Sequence, residues 1–262
     1  MSRKFNLLPS FSNVSAGGIA TLEIPVGVTY DRIMVEYAGV TLSQIQNIEV
    51  LVNGKPIWQI ADGQRLHDLN SFYKERNATA GVLDFWFIRP EFDNIDMRRL
   101  TALGTMDVAT FAIKMKIDNA AAAPVLTATA VKSLNSPLGM ITKIKSFPAS
   151  SATAGLKDID NIPKEGRLAA VHFFKDDISK VDVEADSVKV YELSKSLGEK
   201  VQADYDRVPM TAKATTVDFV TEGNPATGLI IEGVQHLTFR PTLDTSGAFD
   251  VVVEYLTGFK GI

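Results

Sequence analysis

Histidine and cysteine, the side chains that most often bind metals or act as nucleophiles, are nearly missing from this chain. Its 262 residues include no cysteine and three histidines, His67, His172 and His236. The lack of thiols excludes disulfide scaffolds, thiolate zinc sites and cysteine nucleophiles. The histidines form no His-x-His or His-x-x-x-His motif, so we expect each to be structural or exposed. The sequence therefore predicts no catalytic residue and no cofactor-binding residue.

Paired carboxylates are the remaining groups with catalytic or metal-binding chemistry. Three pairs fall in or near predicted loops: Asp93/Asp96, Asp158/Asp160 and Asp176-Asp177. A glycosidase needs two acids that face each other across a cleft, and position along the chain does not show this. Acidic loops can bind Ca²⁺ through oxygen ligands, but the Asp-x-Asp-x-Asp-Gly pattern does not occur. We interpret the pairs as solvated. A calcium ion is permitted, and no ligand is assigned to it.

Other functional motifs are missing or have a simple structural interpretation. No glycine-rich nucleotide motif, Walker motif or Gly-x-Ser-x-Gly motif occurs. Four aromatic residues are compatible with a sugar-binding platform, although core packing is the simpler interpretation: Trp58, Phe85, Trp86 and Phe87. Three apolar residues predicted in exposed loops are candidates for subunit contacts: Leu7, Leu8 and Phe92.

The charge distribution argues against nucleic acid as a partner. The 31 acidic and 27 basic residues give a formal net charge of −4, and basic clusters are no longer than a pair such as Arg98-Arg99. Proteins that bind nucleic acid usually carry a basic surface. The acidity is concentrated in residues 176–206, where nine Asp and Glu outnumber four Lys. We therefore predict no direct contact with nucleic acid.

The N-terminal segment is predicted to be neither a signal peptide nor a membrane anchor. Arg3 and Lys4 precede a short apolar stretch that Pro9 interrupts. No run of 18 apolar residues occurs in the sequence. We expect a soluble chain that is synthesised in the cytoplasm.

Alternation of apolar and polar residues, typical of strands with one buried face, dominates the sequence. In residues 111–117 four apolar side chains alternate with Ala112, Lys114 and Lys116. Asn53-Gly54 between two β-prone segments is a strong hairpin signal. The other predicted strands are 19–26, 32–38, 48–52, 55–60, 82–88, 125–132, 141–147, 168–174, 181–184, 187–191, 215–220, 229–232 and 249–255.

Two segments have helical spacing instead. Residues 62–76 place apolar side chains three and four residues apart, and Asp62 is the predicted N-cap. Residues 193–206 repeat an apolar side chain every fourth residue, and Ser196 with Glu199 is predicted to form a capping box. The predicted apolar faces are Leu66, Leu69, Phe72 and Tyr73 in the first helix, and Leu193, Leu197, Val201 and Tyr205 in the second.

The chain also repeats itself at an interval of 133 to 138 residues. The matched pairs are Arg32-Ile33 with Arg167-Leu168, 48–50 with 181–183, Asn53-Gly54 with Asp186-Ser187, Trp58 with Tyr191, 83–85 with 217–219, Leu100-Thr101 with Leu237-Thr238, 105–107 with 242–244, and Phe111 with Phe249. The matches keep their order, and the two predicted helices also correspond. Chance similarity among amphipathic strands is the alternative explanation. The order favours two copies of one β-sandwich.

The two copies are predicted to occupy residues 1–138 and 139–262. Asn135, Pro137 and Gly139 favour a connection between them. Strand 141–147 would then open the second copy as strand 19–26 opens the first. About 130 residues and eight strands per copy fit a jelly roll, whereas an immunoglobulin-like sandwich does not account for the helix after the hairpin. The predicted fold class is all-β: two tandem eight-stranded jelly-roll β-sandwiches with short helices in the connections.

Five segments carry a resemblance to a known family: residues 38–47 (AGVTLSQIQN), 80–82 leading to 87–91 (FIRPE), 102–105 (ALGT), 113–118 and 120–124. Together they resemble the major capsid protein of corticoviruses, the tailless marine phages with a membrane inside an icosahedral shell. The resemblance covers residues 14–133. In the second half it is limited to residues 167–172 and 251–257.

The resemblance implies a structural protein of the virion capsid without enzymatic activity. It implies a homotrimer with a pseudo-hexagonal outline that contacts neighbouring capsomers and other capsid proteins, at the vertices and at the membrane. Arg3 and Lys4 would face the internal membrane or a neighbour, and family members can bind calcium. The alternative function is a two-domain carbohydrate-binding or glycan-processing β-sandwich protein, expected to be a monomer with an open aromatic cleft. A receptor-binding spike is a third hypothesis, which the lack of a fibrous repeat disfavours.

Overall fold

The computed structural model describes residues 3–259, most of which lie in β-strands or the turns between them. The chain divides into two compact units. The first contains the residues up to Lys145 together with those from Gly258, and the second spans Ser146–Thr257. One strand, Met140–Ser151, crosses this division and begins just after the predicted boundary. The outer limits predicted for the two copies, residues 1 and 262, lie outside the described residues.

The first unit contains two sheets that are built from strands distant in sequence. Its elements are β1 (Lys4–Leu7), β2 (Ile19–Ile24), β3 (Thr29–Ala38), β4 (Ile45–Val52), β5 (Lys55–Asp62), α1 (Gly63–Phe72), β6 (Val82–Trp86), α2 (Ile95–Arg98), β7 (Leu103–Gly104), β8 (Phe111–Ile117), β9 (Val125–Ser133) and the start of β10 (Met140–Ser151). One sheet has the order β1-β9-β3-β6 with the short β7 beside β3, and the other has the order β5-β4-β8-β2.

The core of the first unit follows from the alternation along these strands. In β8, Ile113 and Met115 are buried whereas Lys114 and Lys116 are exposed, which confirms the prediction for residues 111–117. The ring centroids of Tyr30 and Phe111 are 5.3 Å apart. Such tilted aromatic contacts add packing energy to the burial of the rings.

The second unit repeats this plan. Its elements after β10 are β11 (Gly155–Leu156), β12 (Arg167–Phe174), β13 (Ile178–Ala185), β14 (Val188–Ser194), α3 (Lys195–Asp204), β15 (Thr215–Asp218), β16 (Leu229–Ile230), β17 (Leu237–Leu243) and β18 (Gly247–Gly258). The two sets of strands have the orders β15-β12-β18-β10, with β16 beside β12, and β11-β17-β13-β14. Phe173 and Phe239 meet in its core at 6.1 Å between ring centroids.

The two units share one strand order. When the eight main strands of each unit are numbered along the chain, one sheet reads 1-8-3-6 and the other 2-7-4-5 in both units. This is the Greek-key order of a jelly roll. The predicted fold class, two tandem jelly rolls with short helices, is therefore confirmed.

The hairpins that join the fourth and fifth main strands use the same turn. The φ angles are 49° at Asn53 and 75° at Gly54, and 47° at Asp186 and 68° at Ser187. A two-residue turn with both central residues at positive φ matches the twist of the flanking strands. The predicted hairpin at Asn53-Gly54 and its match with Asp186-Ser187 are both confirmed.

The two turn side chains also fasten the connection that leads into the seventh main strand. Oδ1 of each side chain accepts two backbone hydrogen bonds: Asn53 from Ala109 and Thr110 at 2.8 and 3.1 Å, and Asp186 from Gln235 and His236 at 2.9 and 2.8 Å. β8 is thus the counterpart of β17, and β9 is the counterpart of β18. The predicted match of Phe111 with Phe249 is wrong, because Phe111 lies in β8 and Phe249 in β18.

Three other sequence matches also fail because connection lengths differ between the units. Leu237-Thr238 and residues 242–243 belong to β17, whereas Leu100-Thr101 and residues 105–107 precede β8. The strand predicted at 141–147 opens the second unit as the counterpart of β1. It does not correspond to strand 19–26, whose counterpart is the two-residue β11.

Both predicted helices form, but one begins earlier than predicted. Asp62 Oδ1 accepts the N–H of Arg65 at 2.7 Å, as the predicted N-cap of α1. α3 is capped by Ser194, whose side chain accepts from Leu197 N–H, so the predicted Ser196/Glu199 capping box is wrong. The chain leaves β14 directly into the helix, which places the cap at the strand end. No helix within residues 3–259 has the length and hydrophobicity needed to cross a membrane.

Candidate functional site: assembly surfaces

The three histidines lie apart and do different things. His67 is half-buried on α1. His236 lies just before β17, and its backbone N–H donates to Asp186 Oδ1. His172 in β12 is fully buried, with Nδ1 2.9 Å from Thr216 Oγ1 and Nε2 3.2 Å from Glu254 Oε1. These contacts tie three neighbouring strands together, as buried polar groups require.

The paired carboxylates lie mostly in solvent. Asp93, Asp96, Asp158, Asp160 and Asp176 are exposed. Two members of the pairs are held by cations: Asp158 by Arg240 at 2.9 Å and Asp177 by Lys175 at 2.8 Å. Within residues 3–259 no group of three or more His, Asp or Glu side chains is arranged to hold a metal ion.

The aromatic set does not form one exposed surface. The Trp58 ring is buried, with Phe85 and Phe87 at 6.0 and 5.4 Å between centroids. Trp86 faces the other side of its strand and lies under the Arg32 guanidinium at 4.1 Å. Trp58, Phe85 and Phe87 are therefore core residues, as the simpler interpretation predicted.

A buried ionic cluster fixes the long connection after β6 in the first unit. Glu91 Oε1 lies 2.9 Å from Arg76 Nη2 and 2.8 Å from Arg89 Nε, and all three side chains are buried. Burial alone would raise the pKa of Glu91, but the charges of Arg76 and Arg89 outweigh it and hold that pKa below its ordinary value. Arg89 also donates to Tyr73 Oη at 2.8 Å, which joins the connection to the end of α1.

The second unit has a related device beside its own helix. Arg207 follows α3 and lies 2.9 Å from Asp218 of β15, with both side chains buried. Its Nη2 also donates to the carbonyl oxygens of Val220 and Thr221. The helices are anchored alike, since Asn70 donates to the Asp84 carbonyl at 2.8 Å and Gln202 to the Thr216 carbonyl at 2.7 Å. Nothing in the strand or helix patterns indicated these clusters. The arginine that follows each helix, Arg76 or Arg207, is their only sequence signal.

The N-terminal strand β1, which the sequence did not predict, is held at the edge of its sheet. It pairs antiparallel with β9. Arg3 Nε lies 3.3 Å from Oδ2 of the buried Asp31, whose Oδ1 lies 3.4 Å from Arg99 and accepts from Ser133 at 3.0 Å. Arg3 thus contacts an acid of its own unit. The strand was missed because four residues before a proline are too few to show a period.

Exposed apolar side chains are the remaining surface feature. Leu7 is 75% exposed as predicted, but Phe92 and Leu8 are buried and those two predictions are wrong. The Phe92 ring is covered by the guanidinium of Arg89, which belongs to the buried ionic cluster. Other exposed apolar side chains include Phe5, Ile95, Leu100, Met106, Val125 and Leu134 in the first unit, and Leu156, Val188, Val190, Val208 and Ile230 in the second.

The predicted apolar face of the second helix points outward. Leu197 and Val201 are 54% and 40% exposed, whereas Gly198 and Gln202 form the buried side of α3. In α1 the apolar residues are buried as predicted. A large exposed apolar surface beside polar residues is typical of contacts between protein chains. The exposed apolar side chains are therefore candidates for contacts between chains.

The double jelly roll defines the class of the protein. Two solved capsid structures share the fold at low sequence identity. The STIV major capsid protein has a TM-score of 0.73 and 10% identity, over 99% of this chain and 98% of that one. A PBCV-1 virus capsid model has a TM-score of 0.68 and 10% identity, over 97% of this chain and 93% of that one. The fold is that of double jelly-roll capsid proteins.

The chain belongs to the viral coat protein P2 family. The model of the P2 N-terminal domain matches residues 5–133, and that of the P2 C-terminal domain matches residues 141–259. The chain is 30% identical over 265 residues to the major capsid protein P2 of Pseudoalteromonas phage PM2, covering 97% of each. The crystal structure of P2 from bacteriophage PM2 superposes with a TM-score of 0.93 at 29% identity over 100% of both chains.

These comparisons confirm the resemblance to corticovirus capsid proteins and extend it over the second half. The protein is a structural major capsid protein and not an enzyme, and its location is the virion capsid. Its homologues assemble into capsids with other capsomers. The carbohydrate-binding alternative is not favoured.

Proposed function

We propose that three copies of the chain form a capsomer with six jelly rolls and a pseudo-hexagonal outline. The observation that supports this proposal is that each chain contains two jelly rolls with the same strand order. A ring of three such chains presents six similar sandwiches around its axis. The subunit contacts in such a ring are heterologous, with different surfaces of each copy meeting, and the ring closes at three.

The capsomers tile an icosahedral shell over an internal membrane in this proposal. The partners are neighbouring capsomers and other capsid proteins at the vertices and at the membrane. Nucleic acid is not a direct partner in this proposal, because the chain is acidic overall and its basic residues cluster along the sequence only in pairs. Lys4 is exposed, and Arg3 keeps a side chain that is 43% exposed although it contacts Asp31 in its own unit, so both N-terminal cations are open to a neighbour or lipid.

The purified chain is expected to be a trimer in solution. Light scattering should give a mass of about three times 28.5 kDa, and electron microscopy at high concentration should show hexagonal sheets or shells. A monomer that binds oligosaccharides would contradict the proposal and favour the carbohydrate-binding alternative. A monomer without sugar affinity would contradict both.

The proposed capsid role uses no organic cofactor. Calcium is compatible with the acidic loops, and no calcium ligand is assigned. Metal analysis of purified trimers is expected to distinguish two forms of the proposal. If the trimer contains stoichiometric calcium, and a chelator removes this calcium and dissociates the trimer, the ion is part of the capsomer. A trimer of unchanged mass in chelator would show that protein contacts suffice.

A further inference from the structure

We propose that strand β1 of one copy packs parallel alongside the exposed edge strand β14 of a second copy, and that this contact forms a seam of the trimer. The inference rests on the trimer proposed above and names two surfaces that meet in it. It is drawn from an asymmetry between the two copies of the jelly roll within one chain.

The first unit shows how the edge of such a sheet is covered. β5 is joined on its outer side by the start of β10, which runs parallel to it with Ile144 opposite Trp58. Trp58 Nε1 donates to the Thr142 carbonyl at 2.8 Å. Beside this strand, Ile57 on β5 is only 2% exposed.

β14 is the counterpart of β5, and within residues 3–259 no strand covers its outer edge. Both hairpins carry a bulge at the same place, so Trp58 corresponds to Tyr191 and Ile57 to Val190. Val190 is nevertheless 39% exposed, and Val188 is 62% exposed. The edge that is buried in the first unit is therefore an open apolar edge in the second.

The strand that fits this edge is the first strand of another copy. β10 and β1 are counterparts, since each opens its unit and pairs with the last strand, β18 or β9. Each chain has two such strands, and β10 already lies beside β5. β1 keeps one edge unpaired by any described strand, and its Phe5 and Leu7 are 68% and 75% exposed. An exposed edge with apolar side chains is a ready site for pairing with another chain.

Charge favours the same partner. Lys4 is exposed on β1, and residues 176–206, which include β14 and α3, carry nine Asp and Glu against four Lys. Complementary charge orients two surfaces as they meet and raises the association rate. Because β1 and β14 are different surfaces, each copy offers one of each, as a closed ring requires.

Disulfide trapping tests the contact directly, because the chain contains no cysteine of its own. Phe5→Cys is combined with Val188→Cys in one variant and with Val190→Cys in another, which scans the register between the strands. A disulfide forms only when the Cα atoms are within about 7 Å. Oxidation of the trimer is expected to give covalent dimers and trimers on denaturing gels. The control pairs Phe5→Cys with Val26→Cys, whose native side chain is 40% exposed between β2 and β3, and should stay monomeric on the gel.

A second variant measures the energetic effect. Val190→Asp places a charge in the proposed seam and is expected to weaken trimerisation about tenfold or more, while its circular dichroism and thermal midpoint stay near those of the parent chain. Val26→Asp is the matched control, since Val26 is 40% exposed and lies between β2 and β3, and it should leave the trimer unchanged. A trimer that forms no cross-link with either cysteine pair, and that Val190→Asp does not weaken, overturns the β1–β14 seam while the proposed trimer stands. A parent chain that is a monomer overturns both.

Discussion

Glu91→Gln is expected to destabilise the protein by about 3–5 kcal/mol, because it leaves Arg76 and Arg89 buried without a countercharge. Both guanidinium groups lie within 3 Å of the Glu91 carboxylate, and none of the three side chains is more than 4% exposed. Glutamine keeps the shape of the side chain, so the loss reports on charge and not on a cavity. Urea unfolding followed by tryptophan fluorescence gives the change in midpoint at constant slope.

The pH dependence of this effect has a definite sign. The pKa of Glu91 is lower in the folded protein than in the unfolded chain. Its contribution to stability is therefore complete when the pH is above the pKa of the unfolded state, and it is lost as the pH falls through the lowered pKa of the folded state. The difference between the parent and Glu91→Gln should therefore be largest near neutral pH and shrink in acid. Asp204→Asn is the control, since Asp204 pairs with Lys200 in water, and should change little. Equal losses in both variants would contradict the role of the buried cluster.

Trp58→Ala is expected to destabilise the protein by about 3–5 kcal/mol, since it opens a cavity in the core of the first unit. The ring is 1% exposed and lies against Phe85 and Phe87. Its loss should also free the start of β10, because the Nε1 hydrogen bond to Thr142 and the contact opposite Ile144 disappear. The measurements are urea unfolding and amide exchange in residues 140–145.

Trp58→Phe separates packing from hydrogen bonding. Phenylalanine keeps most of the buried ring but cannot donate to the Thr142 carbonyl, so the expected loss is about 1–2 kcal/mol. Exchange in residues 140–145 should rise in both variants, whereas the large loss of stability should appear in the alanine variant alone. If Trp58→Ala had only a small effect on the free energy of unfolding, this part of the core would have repacked around the smaller side chain. The difference between the covered strand β5 and the open strand β14 would then lose its support.

Local patterns in the sequence predicted the elements well. The alternation in residues 111–117, the Asn53-Gly54 turn and the Asp62 cap each depend on neighbours a few residues away, and each is found in the structure. Where the prediction failed, the distance in sequence was large. Phe111 was matched with Phe249 because strands of similar composition look alike, and only the strand order and the turn contacts show that β8 corresponds to β17.

The candidate surfaces could not be read from residue type. The apolar faces of the two predicted helices look equivalent in sequence, yet Leu69 is buried and Val201 is exposed. In the first unit α1 packs against β5, β6 and the short helical turn Leu42–Gln44, and Arg89 donates to Tyr73 at the end of the helix. Phe92 was predicted on the surface for the same reason, because nothing near it in sequence showed that Arg89 would cover its ring.

The sequence by itself determined the all-β class, the duplication, the absence of thiol chemistry and the membership of a capsid family. Only the tertiary structure decided which apolar edges are closed within the chain and which are open to another copy. Alternation along a strand records which side chains face the partner sheet, and that is a local property. Coverage of an edge depends on a strand from elsewhere in the chain, as β10 covers β5 and none of the described strands covers β14.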